Sequence, residues 1–405
     1  MSFIQKGTPI FRKTSLAFFA AGFNTFAILY STQPLLPVFS QEFGVSPATS
    51  SLSISITTIT LAISLLFFGS LSEVWGRRPV MVISMFAASL LCILTAFSPT
   101  FEVLLLCRAL IGVALAGLPS IAMAYLGEEI EPGSLGSAMG LYICGNAIGG
   151  VFGRVFSGVI ADLFNWQTAV GAIGVLGFAS TMIFLASLPA SRNFHPKSMH
   201  LGKLGLSLIA HLKDPGMLYL FGIGFIIMGS NVAIFNYMGY ALLQGPYSLS
   251  QSVVSWLFIV MIIGMYSSVW AGRLVERHGR QKMLGVSLAI LVVGTLLSLE
   301  VHLVSKVLAM LIFSFGFFAT QTVATSWVGY RATQNKSQAS SLYLFLYYIG
   351  SSIGGTLGGI FWAMYGWGGV IGMVFAFLAL GLACAIGLSQ LGQRSERTAD
   401  YRYDH

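Results

Sequence analysis

Two arginines, Arg108 and Arg154, stand inside long apolar stretches of a 405-residue chain. A charge at the centre of a bilayer costs about 2.5 kcal/mol or more, so such a residue faces the protein interior or a wet cavity. Each arginine lies five or six residues in from the end of its apolar run. At a helical rise of 1.5 Å per residue that is roughly 8–9 Å below one surface. The chemistry open to them is recognition of an anionic group or polarisation of a water. The alternatives are snorkelling, or an ion pair with Glu102 or Asp162, the nearest acids on that side. The thirteen acids all fall at helix ends, in loops or in the termini, and no histidine falls in the centre of an apolar run. Many proton-coupled carriers of cations use a carboxylate in the membrane, so a neutral or anionic solute fits better. A coupled proton would have to sit on Glu73, Glu102, Glu128, Glu129 or Asp162.

Uncharged polar residues join the arginines. Asn24, Tyr30 and Gln33 lie in the first apolar run, Asn146 in the fifth, Asn231, Asn236 and Tyr237 in the seventh, Gln321 in the tenth, and Tyr343, Tyr347 and Tyr348 in the eleventh. Amides and phenols in lipid need partners and therefore turn inward. They either line a solute cavity or tie helices together, and periodicity does not decide between the two.

The elements that must position them are transmembrane helices. Hydrophobic residues make up 56% of the chain and charged ones 8%, where a soluble domain carries about 25% charged. A crossing needs about 20 apolar residues. Twelve such runs are read at 14–38, 48–70, 79–97, 102–126, 136–160 and 166–188, then at 215–240, 250–271, 283–300, 305–328, 338–362 and 367–390. The expected organisation is an all-α membrane protein with a six-helix bundle over 1–188, a linker over 189–214, a second six-helix bundle over 215–392 and a polar tail over 393–405. The first run follows Lys6, Arg12 and Lys13, but it is too long for a cleaved signal peptide, and no small-residue cleavage site follows it.

Lys and Arg fix the orientation. The N-terminus, the alternate loops, the linker and the C-terminus hold nearly all of them, and the opposite loops hold only Lys306. Both termini are therefore expected inside. The net charge of +8 is explained by this one-sidedness, and nucleic acid is not an expected partner. Cys92, Cys107, Cys144 and Cys384 sit in apolar runs without metal-ligand spacing. No nucleotide loop or nucleophile elbow is present, so no catalytic residue, metal or cofactor is expected.

The chain repeats itself. Gly69-Ser-Leu-Ser-Glu-Val-Trp-Gly-Arg-Arg recurs 203 residues later as Gly272-Arg-Leu-Val-Glu-Arg-His-Gly-Arg-Gln. Gly145-Asn-Ala-Ile-Gly-Gly recurs as Gly350-Ser-Ser-Ile-Gly-Gly, and Gly22, Asn24 and Tyr30 recur as Gly229, Asn231 and Tyr237. A duplicated unit of six helices gives two parallel repeats, both entering from the same side. Gly145, Gly149 and Gly153 form a stripe at helical spacing, repeated as Gly350, Gly354 and Gly358, and such stripes let helices pack closely.

At these motifs the chain resembles the major facilitator superfamily over nearly its whole length. The hairpin after the second helix is similar to that family's G-x-L-a-D-x-x-G-R-[RK] signature, with Glu73 at the Asp position. Arg108-Ala-Leu-Ile-Gly112 resembles its R-x-x-x-G signature. Gly145-Asn-Ala-Ile-Gly-Gly resembles its G-P-x-x-G-G antiporter signature, with Asn146 in place of proline. Ser31-Thr-Gln-Pro-Leu-Leu-Pro and Met139-Gly-Leu-Tyr-Ile are similar to stretches of bacterial inner-membrane efflux carriers for drugs or sugars.

The resemblance implies a monomeric transporter of a small molecule working by alternating access, with proton-coupled efflux the first expectation. Uniport or proton symport of a neutral or anionic metabolite is the alternative, and a membrane enzyme or channel the alternative of another class. It also implies inner gates built from Gly69, Glu73, Gly76, Arg77 and Arg78, and from Gly272, Glu276, Gly279 and Arg280. Glu73 would face the start of the eleventh helix near Ser337 and Ser340, and Glu276 the start of the fifth near Ser134. Glu128 and Glu129, after the fourth helix, invite pairing with Arg77 or Arg78. Glu128 aligns with Arg331 in the repeat.

Overall fold

The structure, a computed structural model, describes residues 3–194, 208–332, 334 and 336–403, and their side chains except at 337 and 392–403. Much of the expected linker, 195–207, lies outside them. The helices are α1 Pro9–Tyr30, α2 Leu36–Glu42, α3 Pro47–Trp75, α4 Arg77–Thr95, α5 Phe101–Leu115, α6 Pro119–Glu129, α7 Pro132–Leu163, α8 Trp166–Ser187, α9 Pro215–Leu243, α10 Gln251–Trp256, α11 Ile263–His278, α12 Arg280–Leu297, α13 Leu303–Arg331 and α14 Lys336–Tyr403. A 3-10 segment, Leu257–Ile262, joins α10 to α11. No strand occurs among the described residues beyond an isolated bridge from Ile4 to Ile130.

Starts and stops follow local chemistry. Thr8, Ser46, Thr100, Asn165 and Ser250 each cap a helix by accepting a backbone N–H three residues on, which satisfies a donor the helix cannot. Gly76 (φ 96°, ψ 148°) and Gly279 (φ 81°, ψ 154°) make the sharp reversals into α4 and α12, in a region open essentially to glycine alone. α14 is two helices meeting at Gly366, where φ is 60° and ψ −146°.

Ten helical stretches are long and apolar enough to cross a membrane, α5–α6 and α10–α11 counting as one each. The break at Gly366 divides the last in two, and α1, 22 residues long, is the twelfth long helix. The chain has the fold expected from its runs, with local interruptions between α5 and α6, at the 3-10 segment and in the first run. The first run does not stay helical to residue 38. α1 stops at Tyr30, a turn follows with Gln33 N–H donating to Tyr30 O at 3.0 Å, and α2 begins at Leu36. Pro34 and Pro37 lack the N–H that would continue the ladder. The turn carries Gln33 off the helix axis.

The chain packs as two compact units. One holds residues 1–199 together with Phe235–Ile262, and the other holds 200–234 with 263–405. In the first, α1 packs on α7 and α8, α4 on α8 and α3 on α5, while α10 and the 3-10 segment pack on α7. Its inner end is an aromatic knot in which Phe18 meets Tyr125, Tyr142 and Phe184 at 5.4–6.2 Å between ring centroids. In the second, α12 packs on α13 and α14, and α11 on α13.

Candidate functional site

The first unit gathers four of the expected residues into one buried cluster. Gln33 is its hub. Its amide oxygen accepts from Arg154 Nε at 2.6 Å, and its amide nitrogen donates to Asn236 Oδ1 at 2.8 Å. A second nitrogen of Arg154 donates to Gly150 O at 2.7 Å, and the guanidinium lies 3.9 Å from the Tyr30 ring and 5.5 Å from that of Phe258. Tyr30, Gln33, Arg154 and Asn236 are all more than nine-tenths buried, and the Asn236 amide nitrogen has no hydrogen-bond partner among the described residues. The cluster thus ties the end of α1 and the middle of α7 to the outer half of α9.

A shell surrounds this cluster, and sequence reasoning singled out only Tyr237 and Asp162 of it. Tyr240 donates to Leu36 O at 2.8 Å and shares a hydrogen bond with Ser40 at 2.7 Å; its ring stacks on Tyr237. Gln251 donates to Pro34 O. Asp162 accepts from the backbone N–H and the hydroxyl of Ser252 in the first turn of α10, where a carboxylate suits the positive end of a helix. Asp162 is therefore occupied at a helix start, and Arg108 is held by backbone carbonyls instead. For the rest of the shell the sequence signal is the run of Ser and Gln residues opening the eighth crossing.

The remaining candidates are placed elsewhere. Arg108 lies between α1 and α3, where its guanidinium donates to Ser53 O, Ile28 O and Leu29 O at 2.7–3.0 Å. Asn24 donates to Ser89 and Thr181 and joins α1 to α4 and α8. Asn146 lies against Gly22 of α1, two turns before Arg154 on the same face of α7. Asn231, Gln321 and Tyr347 belong to the second unit. Asn231 is buried with its amide nitrogen unpartnered among the described residues, Gln321 is half-buried, and Tyr347 stacks on Tyr343 and meets Tyr348 edge to face.

At the inner end, Arg77 is buried. It donates to Ser72 Oγ at 2.6 Å, pairs with Glu128 at 2.8 Å and lies 3.8 Å from Glu73. Glu129 is buried too and accepts the backbone N–H groups of Arg192 and Asn193 at 2.7 and 2.9 Å. Arg78 donates to Leu185 O. Gly69 and Gly272 have open space where a side chain would lie, and Glu276 is exposed.

The repeat swaps these partners. Arg280, equivalent to Arg77, lies 3.9 Å from the Tyr330 ring centroid, and Arg331, equivalent to Glu128, pairs in bidentate fashion with Asp214 at 2.7 Å. Partial burial pushes the Asp214 carboxyl up. Hydrogen bonds from Arg331, from the Gly216 and Met217 backbone, and the Arg331 charge more than offset this and hold it below the usual range. A depressed carboxyl stabilises the fold above its ordinary titration range and stops doing so as the pH falls through its lowered value. Asp214→Asn is expected to lose about 1 kcal/mol at pH 7. The gap in melting temperature from the parent protein should close on acidification; a gap independent of pH would mean the pair contributes nothing through charge.

The fold and this arrangement define a multi-pass membrane transporter, and the chain belongs to the Major Facilitator Superfamily, whose family model matches residues 14–354 and 220–398. Among its relatives, the MFS-type transporter YybF of Bacillus subtilis (strain 168) is 57% identical, over 99% of this chain and 98% of its own. The inner membrane transport protein YnfM of Escherichia coli (strain K12) is 48% identical, over 95% of this chain and 91% of its own. Among solved structures, the peptide transporter POT in complex with sulfate superposes with a TM-score of 0.74 at 16% identity, covering 94% of this chain and 95% of that one.

Proposed function

We propose that this chain is a monomeric carrier of the bacterial inner membrane that exports a small organic solute in exchange for protons, by alternating access. The observation that carries the reading is the buried bridge from Arg154 through Gln33 to Asn236. It is polar, fully enclosed and made of bonds that can break one at a time, as a gate at a solute site requires. Relatives that are transporters over their full length support the class. The titratable groups available for proton exchange are the carboxylates at the membrane boundaries, Glu73, Glu128, Glu129 and Asp162 among them.

Asn146 stands where the antiporter signature has proline, and this favours uniport or proton symport as the second reading. Purified protein in vesicles separates the two. Solutes are first chosen by thermal shift against drugs, sugars and organic anions, and their flux is then measured with an imposed pH gradient. Exchange predicts saturable flux driven opposite to the proton gradient. Uniport predicts saturable flux indifferent to it. Flux that never saturates would end the carrier reading.

The inner hairpin residues Gly69, Glu73, Gly76, Arg77 and Arg78, their repeats Gly272, Glu276, Gly279 and Arg280, and Glu128 and Glu129 form the opposing gate in this reading. Arg77→Ala leaves Glu128 and Ser72 without their shared partner, and is expected to reduce flux at least tenfold while membrane abundance stays within twofold of the parent. Glu73→Gln should reduce flux less. Unchanged flux in both variants would remove the hairpin from the gate.

A further inference from the structure

We infer that the transported solute is an organic carboxylate, and that it binds Arg154 by taking the place of the Gln33 amide oxygen. This rests on the reading that the Arg154 cluster lies on the transport path. Two acceptors that hold the guanidinium are the Gln33 amide and the Gly150 carbonyl, and both are neutral. A carboxylate oxygen accepts from a guanidinium about twice as strongly as a neutral one, and presents two oxygens to its planar fork. In surroundings this dry the difference is not screened away. The amide oxygen of Gln33, 2.6 Å from Nε, already stands where one carboxylate oxygen would.

Three further features fit an exchange at this point. Gln33 sits in the turn Ser31–Leu35 between α1 and α2 rather than within a helix, so its side chain can swing without bending a helix. The Tyr30 and Phe258 rings flank the guanidinium at 3.9 and 5.5 Å and offer the apolar body of the solute an aromatic surface. The other end of the Gln33 amide holds Asn236, whose own amide nitrogen is buried and unpartnered among the described residues. A carboxylate that displaces Gln33 therefore does two things at once. It sets a negative charge against Arg154, and it releases Asn236.

The test uses benzoate and its neutral isostere benzamide as probes on the purified full chain, by equilibrium binding in detergent and by flux in vesicles. Benzoate is expected to bind the parent protein and to bind Arg154→Gln at least tenfold more weakly, with benzamide bound by neither. Gln33→Glu places a permanent carboxylate on Arg154 and is expected to weaken benzoate at least tenfold without lowering the melting temperature. Gln33→Ala removes the competitor and should bind benzoate as tightly as the parent or more so. The proposal is overturned if benzoate does not bind the parent, if Arg154→Gln or Gln33→Glu binds it as the parent does, or if Gln33→Ala loses it as Gln33→Glu does. The transport reading fails separately. Vesicles that move benzamide but ignore benzoate would keep a carrier and end the carboxylate, whereas benzoate bound in detergent with no flux of any solute would end the carrier.

Discussion

Arg108→Ala is expected to remove most of the folded protein from the membrane, rather than to weaken solute binding in a protein that otherwise folds. The side chain is 1% exposed and donates to three peptide carbonyls, Ser53 O at 2.9 Å, Ile28 O at 3.0 Å and Leu29 O at 2.7 Å. Two of these belong to the last turn of α1, which ends at Tyr30, so their usual helical donors are missing. Arg108 is the C-terminal cap of α1, delivered from a neighbouring helix, and its positive charge suits the negative end of that helix. Leaving a buried carbonyl without a donor costs about 1–3 kcal/mol. Leu29 O is left so, whereas Ile28 O keeps the Ser31 hydroxyl and Ser53 O the Thr57 hydroxyl; truncating the buried side chain also leaves a cavity that costs about 2–5 kcal/mol, against a total stability of about 5–15 kcal/mol for a typical domain. Arg108→Lys, a point charge that reaches fewer carbonyls, should fall between the parent and alanine. Arg108→Met, which fills the space and donates nothing, should resemble alanine. Fluorescence-detected size exclusion of tagged protein reads all three. A monodisperse Arg108→Ala with the parent melting temperature and weakened solute binding would return Arg108 to the solute site.

Arg108 and Arg154 were indistinguishable as letters in a sequence. Both interrupt apolar runs at similar depth, and only the tertiary structure decides what stands opposite. Three backbone carbonyls, two of them at the end of α1, engage Arg108's fork; an amide in the turn after α1 holds part of Arg154's. The asparagines divide in the same way. Asn24 is drawn to Ser89 and Thr181, where Gly177 leaves room for it, and it serves as glue. Asn236, which the repeat sets against Leu29 rather than against another amide, joins the cluster. What could be read was whatever depends on pattern. The apolar runs gave the crossings, the surplus of acids after the fourth helix anticipated the Arg77–Glu128 pair, and Gly76 and Gly279 marked the hairpins. The interruption of α1 was visible as Pro34 and Pro37, but not its consequence, because the direction of Gln33 depends on a turn whose partners lie over a hundred residues away. The 3-10 segment Leu257–Ile262 carries no proline or glycine and left no trace in the pattern.

The Gln33–Arg154 bond can form only if α1 and α7 run very close, and that closeness rests on glycine. A Cβ at Gly149 would lie 2.6 Å from Phe23 Cα and overlap the Phe23 carbonyl oxygen; one at Gly153 would lie 2.5 Å from Ala27 O. The second unit repeats the device, with a Cβ at Gly354 lying 2.5 Å from the Gly229 carbonyl carbon. Here the obstacle is backbone, which cannot rotate aside. Overpacking at a tight contact costs about 1–3 kcal/mol even where side chains can adjust. Gly149→Ala is therefore expected to lower the melting temperature by several degrees, and Gly149→Val to abolish folded protein. Gly354→Ala should do to the second unit what Gly149→Ala does to the first. Gly140, on the same helix α7, has nothing within 4 Å of where its Cβ would lie. There alanine should be neutral or stabilising, since it favours a helix over glycine by up to about 1 kcal/mol. Because Gln33 follows α1 and Arg154 rides on α7, any Gly149→Ala protein that survives should also bind solute more weakly, whereas Gly140→Ala should not. Equal melting temperatures for Gly149→Ala and Gly140→Ala would mean that α1 and α7 can part without cost, and that the spacing on which the Arg154 cluster depends is not set by the stripe.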